Sequence, residues 1–85
     1  MNTEIKVTKY TKADKVELAY YDAAWDGYSS EGCYDNAIEA AHELGGIEIF
    51  NSNDNGSKSF APTIEFKFDD DSTVQISYGS VDVIQ

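Results

Sequence analysis

The chain has 85 residues, 41% hydrophobic and 13% aromatic, with 16 Asp and Glu against 6 Lys and no Arg, for a net charge of −10. That length fits a single small domain, residues 1–85, with one core, and its aromatic content separates it from acidic disordered tails. The charge argues against a nucleic-acid binder or a ligand of anionic membranes, both of which need surface cations, and favours a basic partner.

Glu4–Tyr10 reads as a strand, because Ile5 and Val7 alternate with Lys6 and Thr8. Residues 15–25 read two ways. As a strand, Val16, Leu18 and Tyr20 alternate with Lys15, Glu17 and Ala19, Asp26-Gly27 forms a two-residue hairpin turn, and residues 28–34 return. As a helix, Thr11 and Asp14 have capping-box spacing, and Val16, Ala19, Tyr20 and Ala23 line one face. Leu18, Tyr21 and Trp25 then fall on the other side, leaving a helix apolar nearly all round. That pattern suits a domain this small poorly, so the strand is preferred.

Asp35 is a fitting N-cap for a helix of about 35–44, with Ala37, Ile38, Ala41 and Leu44 on one face and Gly45-Gly46 as the stop. Ile47–Phe50 is a short strand, and Asn51–Ser59 a polar loop. Thr63–Asp69 and Thr73–Tyr78 alternate cleanly around Asp70-Asp71-Ser72, and Val81–Ile84 adds a final strand. The expected fold is α+β: an antiparallel β-sheet of four to six strands with one sure helix packed on it, residues 15–25 being strand or helix.

The charge is unevenly placed. Residues 1–16 carry four Lys and two acids, whereas residues 17–56 carry nine acids and no Lys or Arg. An ordinary solvated surface mixes signs and gains from i,i+4 pairs. Within this block, Asp35, Glu39 and Glu43 stand at strict i,i+4 spacing, joined by Glu31 if the helix starts early. Phosphates along a DNA strand recur at a similar spacing of several ångströms. Six of the eleven aromatics lie between residues 10 and 34 and interleave with acids, bringing Trp25 and Tyr28 beside Asp22 and Asp26. A small sheet cannot bury them all. Tyr and Trp beside unpaired carboxylates make a surface suited to an Arg/Lys-rich partner. The expected partner-binding residues are Asp22, Trp25, Asp26, Tyr28, Glu31, Asp35, Glu39 and Glu43.

Candidate chemistry is sparse, and the expectation is a protein that is not an enzyme and takes no metal or cofactor. Cys33 stands alone, which allows no internal disulfide. On one helix Cys33 and His42, nine residues apart, would fall on opposite faces, which excludes a direct dyad; with Cys33 in a strand, contact is open, but nothing in the sequence demands it. Cys33 reads as a small core residue and His42 as a surface residue near the helix end. Asn51–Gly56 imitates the start of a calcium loop, yet Asn51 replaces its first acid and Pro62 stands where the bidentate Glu belongs, so a flexible turn is expected. Asp69-Asp70-Asp71 reads as a solvated hairpin turn. No phosphate-cradling glycine loop is present. No apolar run of membrane-spanning length and no secretory pattern at Met1–Glu4 appear, so the expected location is the cytoplasm.

The cation-free stretch 17–56, the Asp35/Glu39/Glu43 ridge and the interleaved aromatics together resemble small acidic phage-encoded inhibitors of host defence, of the anti-CRISPR and DNA-mimic type. The likeness covers composition and charge layout, so no family residues carry over. It implies stoichiometric binding to a basic nucleic-acid groove of a defence nuclease or surveillance complex in the host cytoplasm. Two alternatives share the same features: an antitoxin or immunity protein for a cationic toxin, and a structural or adaptor module, including a homo-oligomer formed through the aromatics.

Overall fold

In the computed structural model, residues 10–56 and 58–84 are described. Two helices, α1 (Lys12–Trp25) and α2 (Ser30–Glu43), precede four strands, β1 (Ile47–Asn51), β2 (Ile64–Lys67), β3 (Thr73–Ser77) and β4 (Ser80–Ile84). The sheet is an antiparallel meander of order β1-β2-β3-β4. The fold is therefore α+β with a four-stranded antiparallel sheet, within the expected range. The strand expected at Glu4–Tyr10 lies outside the described residues except for Tyr10, which belongs to no strand.

The first correction concerns residues 15–25, which are helix. The Thr11 hydroxyl accepts from the Asp14 N–H at 3.0 Å, while the Asp14 carboxylate accepts from the Thr11 N–H at 3.0 Å. This capping box fixes the start, and the alanines at 13, 19, 23 and 24 favour propagation. Ala13, Val16, Tyr20 and Ala23 are buried against α2 and the sheet. The alternation that suggested a strand was coincidental, since Val16 and Tyr20 point inward but Leu18 points to solvent.

The second correction follows from the first. Asp26-Gly27 ends α1 and does not turn a β-hairpin. Gly27, at φ +90°, donates to the Ala24 carbonyl, and the Tyr28 N–H reaches the Ala23 carbonyl at 3.0 Å, a Schellman closure. No return strand exists at 28–34. Ser29 is the N-cap of α2, its hydroxyl accepting from the Gly32 N–H at 3.1 Å. Asp35 is thus a mid-helix residue, and not the N-cap. Gly32 hid the earlier start, being a poor helix former. Its reason is steric: a Cβ there would lie 3.2 Å from Tyr28 Cδ2, so glycine lets the Tyr28 ring fold over the first turn.

The helical hairpin covers one face of the sheet, α1 on β3 and β4 and α2 on β3. Ile64, Phe66, Phe68, Val74, Ile76 and Val81 meet it from below, and Phe66, Ile76, Val16 and Val74 are fully buried. Each such side chain contributes about 1.5–3 kcal/mol. Strands β2 and β3 bury alternate residues, as their sequences predict. β1 lies beyond the cover of the helices: Ile47, Ile49 and Phe50 are exposed, and the register shifts between Glu48 and Phe50. No helix among the described residues is long and apolar enough to cross a membrane.

Candidate partner-binding surface

Five of the eight expected contact residues gather at the tip of the helical hairpin. Asp22 and Trp25 occupy the last turn of α1, Asp26 caps it, Tyr28 lies in the link, and Glu31 stands in the first turn of α2. All five are exposed, Trp25 to 90%. Asp35, Glu39 and Glu43 continue from Glu31 along α2, and all three are exposed. The early start at Ser30 makes the four-carboxylate ridge continuous. At 1.5 Å per residue it runs about 18 Å, with neighbours about 6 Å apart along the axis. It looks away from Cys33, Tyr34, Ala37 and Ala41, the buried side of α2. No side-chain hydrogen bond or ion pair joins the four to any described residue.

Two residues belong with the tip that the sequence did not single out as contacts. Leu18 and Tyr21 are 43% and 52% exposed, and with Trp25 they form an i, i+3, i+7 stripe on α1. Their signal in the sequence is the apolar outer side of the helical reading, which marks a helix face that no described residue covers.

The α1 side of the hairpin is tied at its middle and at its start. At mid-helix, Asn36 Nδ2 on α2 donates to the Ala19 carbonyl on α1 at 3.0 Å. At the far end, the turn between β2 and β3 caps α1. Asp70 accepts from the Lys12 N–H at 2.8 Å, the Ser72 hydroxyl accepts from the Ala13 N–H at 3.1 Å, and Asp69 pairs with the Lys12 ammonium at 2.7 Å. The Ser72 hydroxyl and N–H and the Lys12 N–H hold the Asp70 carboxyl down to about 2. The Lys12 ammonium is raised in turn, chiefly by its hydrogen bond to Asp69. The expectation of a merely solvated Asp69–Asp71 turn is therefore corrected: two of its acids are structural.

The remaining candidates stay apart. Cys33 is buried, as expected of a small core residue, and its thiol points to the Tyr28 carbonyl. His42 is exposed near the end of α2, its ring edge-on to Phe66 at 5.2 Å. Nine residues of helix separate the two by about 13 Å. Asn51 and Asn53 spend their amide oxygens on the N–H groups of Asn53 and Ser59, within the loop itself. No group of three or more metal-ligating side chains converges among the described residues. Tyr34 donates its hydroxyl to the Pro62 carbonyl, and burial pushes its phenol up, with Asp35 and Glu48 adding to the shift. Tyr34 and Phe60 flank the Tyr78 ring at 6.3 Å and 5.4 Å, a second aromatic cluster at the β3–β4 turn.

No protein-family profile, curated protein or solved structure matches the chain.

Proposed function

We propose that this protein is a non-enzymatic inhibitor that sets its acidic helical hairpin into the basic nucleic-acid-binding surface of a defence nuclease or surveillance complex, its carboxylates standing in for phosphates. The observation that carries this reading is the α2 ridge of Glu31, Asp35, Glu39 and Glu43, exposed along its length and joined by no ion pair to any described residue. Like charges at i,i+4 each cost a few tenths of a kcal/mol, and Glu43 lies at the unfavourable end of the helix dipole. Of the four, only Glu31, in the first turn of α2, is favoured by the helix dipole, whereas a cationic groove gains charge pairing with all of them and a steered, rapid encounter.

The test is capture on the immobilised protein, at low and high salt, with and without competing duplex DNA. The expected result is a nucleic-acid-binding protein that is released by added DNA, lost steeply as salt rises, and not retained by the Glu39→Lys, Glu43→Lys double variant. Capture indifferent to salt, DNA and the double variant would remove the ridge as the contact surface. It would leave the stripe on α1 to explain the binding.

A further inference from the structure

Trp25 is the single tryptophan of the chain and is 90% exposed. An aromatic of this size ordinarily buries 150–250 Å², and here it has company. Tyr21 precedes it by one turn, Leu18 by two, and Tyr28 follows in the link at 56% exposure. At 100° per residue, Leu18 and Trp25 lie within about 20° of one another, directly opposite the buried Ala13, Val16, Tyr20 and Ala23. Soluble domains seldom leave a contiguous apolar stripe without a partner for it.

The rim of the stripe says what that partner carries. Asp22 lies one turn before Trp25 and Asp26 directly after it, and neither carboxylate has a hydrogen bond or ion pair to a described residue. The nearest cation on the helix, Lys15, is seven residues from Asp22, about 10 Å along the axis, and eleven from Asp26. An exposed indole one turn after one carboxylate and directly before another, neither paired with a described residue, fits one side chain better than any other. A guanidinium stacks flat on the ring while its in-plane N–H groups reach a carboxylate; an ammonium is more strongly hydrated and has no plane to stack.

We infer that Trp25, framed by Asp22 and Asp26 and extended by Tyr21 and Leu18, is an arginine-reading platform that docks an arginine of the partner together with the apolar surface beside it. This rests on the proposed function in that the partner is basic. It adds that affinity is anchored at the hairpin tip and that arginine is preferred to lysine, neither of which a phosphate-like ridge requires.

The probe is a synthetic amphipathic peptide of arginine and leucine, free of aromatics and carrying an N-terminal dye, compared with its lysine-for-arginine twin. The arginine peptide is expected to change Trp25 emission and to bind about five-fold more tightly than the twin. Trp25→Ala, a substitution at an exposed site, should erase that preference in the dye signal. Glu39→Gln with Glu43→Gln should weaken both peptides equally and keep it. Equal binding of the two peptides, or a preference that survives Trp25→Ala, overturns the platform. If such binding is still lost in the double Glu variant, the acidic-ridge reading stands. Failure of both peptides to bind at low salt overturns the two together.

Discussion

The two ends of α1 treat their carboxylates in opposite ways. At the N-terminal end three acids have a structural task. Asp14 closes the capping box, Asp70 receives the Lys12 N–H, the Ser72 N–H and the Ser72 hydroxyl, and Asp69 pairs with Lys12. The first three N–H groups of the helix, which have no intrahelical partner, are all taken by side chains. At the C-terminal end the chain closes itself with backbone alone, through Gly27 and Tyr28. Asp22 and Asp26 take no part, and Trp25 and Tyr28 are turned to solvent. The carboxylates of one end are built into the fold, and those of the other have no partner among the described residues. Net charge counts these acids alike, although only those at the second end are available to a partner.

The largest effect that would sharpen this contrast comes from Ser72, a buried polar residue at 3% exposure. Ser72→Ala orphans the buried Ala13 N–H and removes a hydrogen bond to Asp70. A loss of about 1–3 kcal/mol in urea-unfolding stability is expected. Trp25→Ala, at the other end, should stay within about 0.5 kcal/mol of the parent. Comparable losses at both ends would break the distinction, for Trp25 would then be a structural residue despite its exposure.

Acid titration gives a smaller and more specific effect. The Asp70 carboxyl is held at about 2, below its ordinary 3.8. A group depressed in the folded state contributes stability that is complete above the unfolded value and disappears as pH falls through the folded one. The contribution of Asp70 should therefore be intact above about pH 4 and decline towards pH 2. Lys12 has the opposite sign: raised above 10.5, it supports the fold below that value and ceases to as pH rises through its folded value. Thermal midpoints across pH 2–5 should show the acid decline, and Asp70→Asn should flatten it. An unchanged acid limb in that variant would mean that the cap on α1 is not held by Asp70.

The same contrast explains what was legible in the sequence. Strands β2 and β3 could be read because one face is buried and the other is not, so that Ile64, Phe66, Val74 and Ile76 alternate with partly exposed neighbours. α1 resisted because both its faces are apolar, and only one of them serves the core. Periodicity reports apolar positions without saying what covers them, and the second face is covered by no described residue. The start of α2 was obscured by Gly32, whose role depends on a ring from the preceding link. The Asp69–Ser72 cap was invisible for another reason: it joins residues 57 to 59 positions apart, which only the packing of α1 over β3 and β4 brings together. Of the contact surface, the ridge from Glu31 to Glu43 followed from i,i+4 spacing. Leu18 and Tyr21 did not, since they join Trp25 only once the segment is a helix.

The smallest predicted effect carries the clearest sign. Asp22 and Asp26 stand at the C-terminal end of α1, where the partial charge of the helix is negative and no basic residue compensates. A carboxylate there opposes folding, so Asp22→Asn and Asp26→Asn should each raise stability by about 0.3 kcal/mol. Asp70→Asn, at the other end of the same helix, should lower it. Denaturant midpoints measured at low salt would resolve the pair, and added salt should shrink the gain as the charges are screened. If the tip acids are retained at a cost to the fold, the same two substitutions should weaken capture of an arginine-bearing partner while stabilising the free protein. A stabilised protein that binds undiminished would mean that the cost serves nothing at this surface, and the tip would lose its claim to be the contact.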